Sequence, residues 1–153
     1  MSWRAPTEAD LVKHLSGTEL QRLRAAANGL QGDPIADTLS GIANTIRGYI
    51  SAHPSNRLGP DGTIPEELID TAMHMAVVHV WTRVGGALLD PKGLRKQAAD
   101  EAQKLLHDVA KGHFRVQPPP AADTQVPGAG GADCELASGK GNYPASTELN
   151  GLF

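Results

Sequence analysis

Aromatic side chains make up only 4% of the 153 residues: two Trp, two Tyr and two Phe. A core short of aromatics rests on Leu, Ile, Val, Met and Ala, which suits packed helices better than a β-sandwich. Cysteine is scarcer still. Cys134 stands alone, so an intrachain disulfide and a cysteine metal cluster are both excluded, and a reducing compartment fits. Neither sign of charge dominates: the formal net charge is −3, and up to Val116 there are 13 acidic and 13 basic residues. Affinity for duplex DNA grows from neutralising phosphates with Lys and Arg, so this balance gives no bulk attraction to DNA. The longest apolar window, AMHMAVVHVWTRVGGALL, carries His74, His79, Arg83 and two glycines, which argues for a buried helix over a membrane span. The opening residues MSWRAPTEADLV hold no signal-peptide core.

The residues present are rich in helix punctuation. Thr7 and Asp10 make a near capping box ahead of Leu11, Val12 and Leu15, predicting a first helix of about two turns. Ser16 and Glu19 form the full box, and Leu20 and Leu23 carry a second helix to about Asn28-Gly29. Asp33-Pro34 then starts an amphipathic helix with Ile35, Leu39, Ile42, Ile46 and Ile50 on one face, running to about Ala52. The segment HPSNRLGPDGTI breaks it with Pro54, Gly59-Pro60 and Asp61-Gly62. Thr63, Pro65 and Glu66 predict a capping-box restart, and Leu68, Ile69, Ala72, Met73, Ala76, Val77, Val80 and Trp81 make a nearly all-round apolar central helix ending near Val84. Asp90-Pro91 repeats the start signal, with Leu94, Ala98, Ala102, Leu105 and Val109 spaced for a last helix ending at Lys111-Gly112. HFRVQPPP then leaves the body, with a short strand expected before a polyproline-like spacer. The fold class is all-α: a small bundle of about five helices over 1–116, followed by an extended, irregular C-terminal arm over 117–153.

Candidate chemistry is sparse. His74 and His79 stand five apart, whereas two ligands on one helical face need a spacing of three or four. Glu66, Glu67 and Asp70 fall at a helix start, where the dipole and open amides already favour acids. GLRKQAADEAQK mixes charges at helical spacing, as a solvated face does. No phosphate loop, dinucleotide fingerprint or GxSxG elbow occurs. The expectation is a protein that is not an enzyme and takes no cofactor and no metal.

The arm is patterned differently. From Gln117 onward it is rich in Pro, Gly, Ala and Ser, a composition that predicts disorder in isolation, and its acids outnumber Lys140 four to one. Its larger residues are set at intervals. Pro118, Pro119, Val126, Leu136, Tyr143, Pro144, Leu149, Leu152 and Phe153 are the candidate partner-binding residues, able to fill pockets while the backbone lies along a partner's edge. The competing reading is a solubilising tail.

Four stretches in this order resemble a known family: PTEADLVKHLSGTELQRL, DPIADTLSGIANTIRGYISA, GTIPEELIDTAMHMAVVHVW and RKQAADEAQKLLHDVAKGHFRV. They are similar to the head-to-tail connector, or neck adaptor, proteins of tailed bacteriophages, in the branch typified by Mu-like phages, over about residues 6–116. That branch often has an Arg-Tyr and proline pair just after the YISA position, where this chain has HPSNRLGPDG. The resemblance implies a structural virion protein with no membrane contact, assembled in the host cytoplasm and placed in the virion neck. Copies would form a ring, dodecameric by the same implication, under the portal protein. The ring would extend the channel through which genomic DNA passes without specific binding, and would present a surface to a tail terminator or stopper protein. In such adaptors a terminal arm commonly grips the portal. The alternative is a small helix-turn-helix-like DNA-binding or packaging subunit using the helices from Thr18 to Asn28 and Pro34 to Ala52, although GLQGDP is long for its turn and Arg47 is the main basic residue on the second helix.

Overall fold

The first three predicted helix starts are built by side chains that reach a backbone amide or a neighbouring side chain within a few residues: Thr7 with Asp10, Ser16 with Glu19, and Asp33. The computed structural model describes residues 2–85, 90 and 92–120. Among them, strand β1 (Trp3–Arg4) precedes helices α1 (Glu8–Val12), α2 (Gly17–Ala27) and α3 (Pro34–Ser51). Strand β2 (Ile64–Pro65), a 3-10 turn (Glu66–Leu68), α4 (Ile69–Arg83) and α5 (Leu94–Lys111) follow. The described residues thus form a small all-α bundle with one minimal two-stranded ladder. Asp33 caps α3 by accepting from the amides of Ile35 and Ala36, both at 3.0 Å, and Pro34 at the first helical position needs no donor there.

Helices α3, α4 and α5 pack on one another, and α1 lies against α4 and α3. The apolar stripe of α3 is buried from Ile35 through Ile50, and α4 buries Ile69, Ala72, Met73, Ala76, Val77, Val80 and Trp81. Helix α4 is therefore the central element, covered on most sides, which is why its sequence shows no clean polar face. On α5 the buried face differs from expectation by one position. Leu106 is fully buried whereas Leu105 is half-buried, and Leu94, at the helix start, is 61% exposed.

Three local expectations are corrected. The Thr63–Glu66 capping box does not form. Ile64 and Pro65 pair antiparallel with Arg4 and Trp3, the Glu66 amide donates to the Ser2 carbonyl at 3.0 Å, and the Thr63 hydroxyl turns to the Pro60 carbonyl at 2.6 Å. A buried Ile64 with a strand partner outweighs a purely local cap. Next, α5 begins at Leu94 and not at Asp90-Pro91, because Gly93 takes a left-handed conformation, φ 69°, and re-aims the chain. Asp90 still serves the start of the helix from a distance: its carboxylate accepts from the amides of Arg95 and Lys96, both at 3.0 Å. Finally, residues 115–120 are irregular and make no strand. Gly112, φ 79°, ends α5, the amides of His113 and Phe114 donate to the Asp108 carbonyl, and Phe114 and Val116 fold back against the core.

Candidate functional site

Of the nine residues singled out in the arm, Pro118 and Pro119 are described: Pro118 is exposed and Pro119 half-buried. Val126, Leu136, Tyr143, Pro144, Leu149, Leu152 and Phe153 lie outside the described residues. What is visible is the place where the arm is rooted. The backbone of Gln117 is gripped on both sides, its amide donating to Glu67 Oε1 at 3.0 Å and its carbonyl accepting from the Trp3 indole Nε1 at 3.1 Å. Trp3 in turn lies over Gly59, where an added Cβ would come within 2.5 Å of the indole carbon Cε3. Only glycine lets the ring sit this close.

The loop carrying Gly59 is held by a single cation. Arg47, on α3, keeps its side chain only 12% exposed and donates through Nη1 to the carbonyls of Gly59 (3.2 Å), Pro60 (2.8 Å) and Thr63 (2.9 Å), and through Nη2 to Asp61 Oδ1 (3.2 Å). A guanidinium fork suits this task because its planar donors meet several fixed carbonyls at once. The breakers at 54–62 therefore make an ordered turn with Arg47 at its centre, and this turn supports Trp3 and, through it, Gln117. In the sequence, Arg47 stands out only as the main basic residue of its helix. The glycine-rich, carbonyl-exposing loop twelve residues downstream was the available signal.

Two buried carboxylates organise the N-terminal third. Asp10 accepts from the Thr7 amide (3.1 Å) and hydroxyl (2.7 Å) and from both guanidinium nitrogens of Arg4 (2.6 and 3.0 Å). The Arg4 fork, more than Thr7, holds this carboxyl well below the ordinary range against the opposing effect of burial, and the same bond raises Arg4. Glu19 accepts from the Ser16 amide and hydroxyl, each at 2.8 Å, and from Nη1 and, at 2.9 Å, Nη2 of Arg95. Arg95 is the main cause of a Glu19 pKa lowered to about 2, with Ser16 adding to it and burial opposing. Both carboxylates thus close a capping box and a bidentate arginine pair together, and the second pair joins α2 to α5 across 76 residues.

The remaining candidates divide into separate partnerships. Glu66 accepts from the Ser2 hydroxyl at 3.1 Å, Glu67 holds Gln117, and Asp70 is 86% exposed with His14 Nε2 at 3.6 Å. They form no carboxylate pair. His14 meets His74 edge to face, ring centroids 5.1 Å apart, whereas His79 lies elsewhere on α4, along a cleft of about 540 Å3 between α3 and α4. Among the described residues no three His, Cys, Asp or Glu side chains are grouped to hold a metal ion, and no helix is long and apolar enough to cross a membrane. The outward positions of α3 are Ala36, Asp37, Ser40, Gly41, Asn44, Thr45, Gly48 and Ser51. With Arg47 committed to the loop, that face offers no cation to a phosphate backbone.

Comparison with protein-family models, with curated proteins and with solved structures finds no match to this chain.

Proposed function

We propose that the protein is a structural subunit of a tailed-phage neck, a head-to-tail connector whose copies form a ring under the portal protein and whose C-terminal arm docks on that portal. The observation that carries the reading is the root of the arm. A helical body, with no three His, Cys, Asp or Glu side chains grouped to hold a metal ion among its described residues, fixes Gln117 between Trp3 and Glu67. Beyond Pro120 the sequence spaces Val126, Leu136, Tyr143, Leu149, Leu152 and Phe153 among Pro, Gly, Ala and Ser. A fixed root followed by spaced anchors suits a segment that acts on a partner in trans.

The mechanism is cooperative attachment. A segment of this composition loses conformational entropy when it docks, so one arm binds weakly, while neighbouring bodies held in a ring raise the effective concentration of the rest. The subunit is then mainly monomeric until the portal is offered. The near-neutral body suits a channel wall past which genomic DNA slides, and a tail terminator or stopper would meet the opposite end of the ring. The place of action is the virion neck, after assembly in the host cytoplasm.

The test is co-sedimentation with the portal protein of the same genome, comparing the full chain with one ending at Pro120, which retains both bonds to Gln117. Binding by the full chain alone supports the reading. Binding by both makes the bundle the docking surface. If neither binds while the body binds duplex DNA in a salt-sensitive manner, the DNA-binding alternative replaces it.

A further inference from the structure

We propose that α2 is a conformational latch: it opens from the bundle as a unit, and the Glu19–Arg95 clasp is what holds it closed. Among the five helices of the described residues, α2 alone shares no extended packing face with another helix. Of its eleven residues only Glu19 and Leu23 are buried. One exposed ion pair, Arg24 Nη2 to Glu8 Oε1 at 3.0 Å, ties its outer side to α1. Almost all the buried polar attachment is therefore the fork of Arg95 on Glu19, reinforced by Ser16.

The two ends of this clasp differ in firmness. Arg95 stands in the first turn of α5, its own amide and that of Lys96 fixed by Asp90, and α5 packs firmly on α3 and α4. Glu19 stands in the first turn of α2, whose helix is completed by its own capping box and needs no neighbour to start. Breaking the fork thus frees a helix that retains its own cap, between the turn at 13–16 and the connection at 28–33. Low local packing with few buried apolar contacts is the signature of a segment that opens below the global unfolding free energy. Arg95 also lines a cleft of about 260 Å3 with His14, His74, Val77, Leu94 and Ala98. Opening α2 releases the guanidinium that forms part of that wall, so the state of α2 and the shape of the cleft change together. This inference goes beyond the neck reading and does not depend on it.

Amide hydrogen exchange on the full chain, read by segment, tests it. In the unmodified protein, amides of 20–27 should exchange faster than those of 39–50 and 72–80. In Arg95→Gln, exchange over 20–27 should accelerate by about ten- to a hundredfold, the loss expected for a charge-assisted, bidentate bond, with 39–50 and 72–80 unchanged. Equal protection of α2 and the central helices in the unmodified protein would overturn the proposal, as would an Arg95→Gln protein in which α2 is unaffected or in which every helix accelerates together. If Arg95→Gln does not fold, the order in which segments open in the unmodified protein under mild urea decides: α2 first supports the latch, simultaneous opening refutes it.

Discussion

The α3–α4 layer and the α1–α2 pair solve the same problem by opposite means. The first is held by hydrocarbon: Ile46, Ile50, Met73 and Val80 are essentially fully buried, and the ion pair that joins the two helices, Arg83 Nη2 to Asp37 Oδ2 at 2.9 Å, is exposed at the surface. The second buries little beyond Leu11 and Leu23 and is held by two carboxylates, each gripped by an arginine and by its own helix cap. Apolar burial is non-directional and adds up over area, so it makes one cooperative block. A bidentate pair concentrates its effect in one geometry and fails all at once when either partner is removed.

The largest effect should come from the hydrocarbon side. Ile46→Ala should lower global stability by about 2–5 kcal/mol, seen as a shifted urea midpoint with an unchanged slope. A sharper division comes from Arg95→Met, which strands Glu19 in a buried site. Its cost, about 3 kcal/mol, should fall on α2 before the rest, so that trypsin cuts after Arg22 or Arg24 while α3 and α4 stay intact. A smaller loss, about 1–3 kcal/mol, is expected for Arg47→Ala, which removes the donor that Gly59, Pro60 and Thr63 share and leaves Pro60 only its bonds from Thr63, and proteolysis should then begin in the 54–62 loop.

The comparison also has a pH axis. Because the folded Glu19 pKa is lowered to about 2 from 4.5, its stabilising contribution is fully present above about 4.5 and is lost as pH falls from there toward 2. Asp10, shifted in the same direction, adds to that loss. Stability measured between pH 6 and pH 2.5 should therefore fall with acid, and Glu19→Gln should flatten part of the slope, whereas Ile46→Ala should lower the curve without changing its shape.

What was legible in the sequence follows from the range of the interactions. Thr7, Ser16 and Asp33 mark helix starts because a cap acts within three residues, and the α3 stripe is legible because its five apolar positions repeat on one face. The pairing of Ile64–Pro65 with Trp3–Arg4 was not, since its partner lies sixty residues away and two residues carry no periodicity. Nor was the choice of Leu106 over Leu105, which a small rotation of α5 against α4 decides. Both boxed carboxylates could be named, but not their arginines: Arg4 needed the β1–β2 ladder, and Arg95 needed the docking of α5. Of the candidate site, the spacing of large residues in the arm was readable, whereas the Trp3–Gly59 contact that supports its root depends on the loop drawn in by Arg47.

The grip on Gln117 also sets a path for force. A pull transmitted along the arm arrives first at two bonds, one to the indole of Trp3 beside the β-ladder and one to Glu67 at the head of α4. Tension is thereby shunted into the N-terminal edge and the central helix, and α5 is shielded from being peeled away end-first. Behind these two bonds the next attachments along the chain are Val116 and Phe114, which pack against the core ahead of α5.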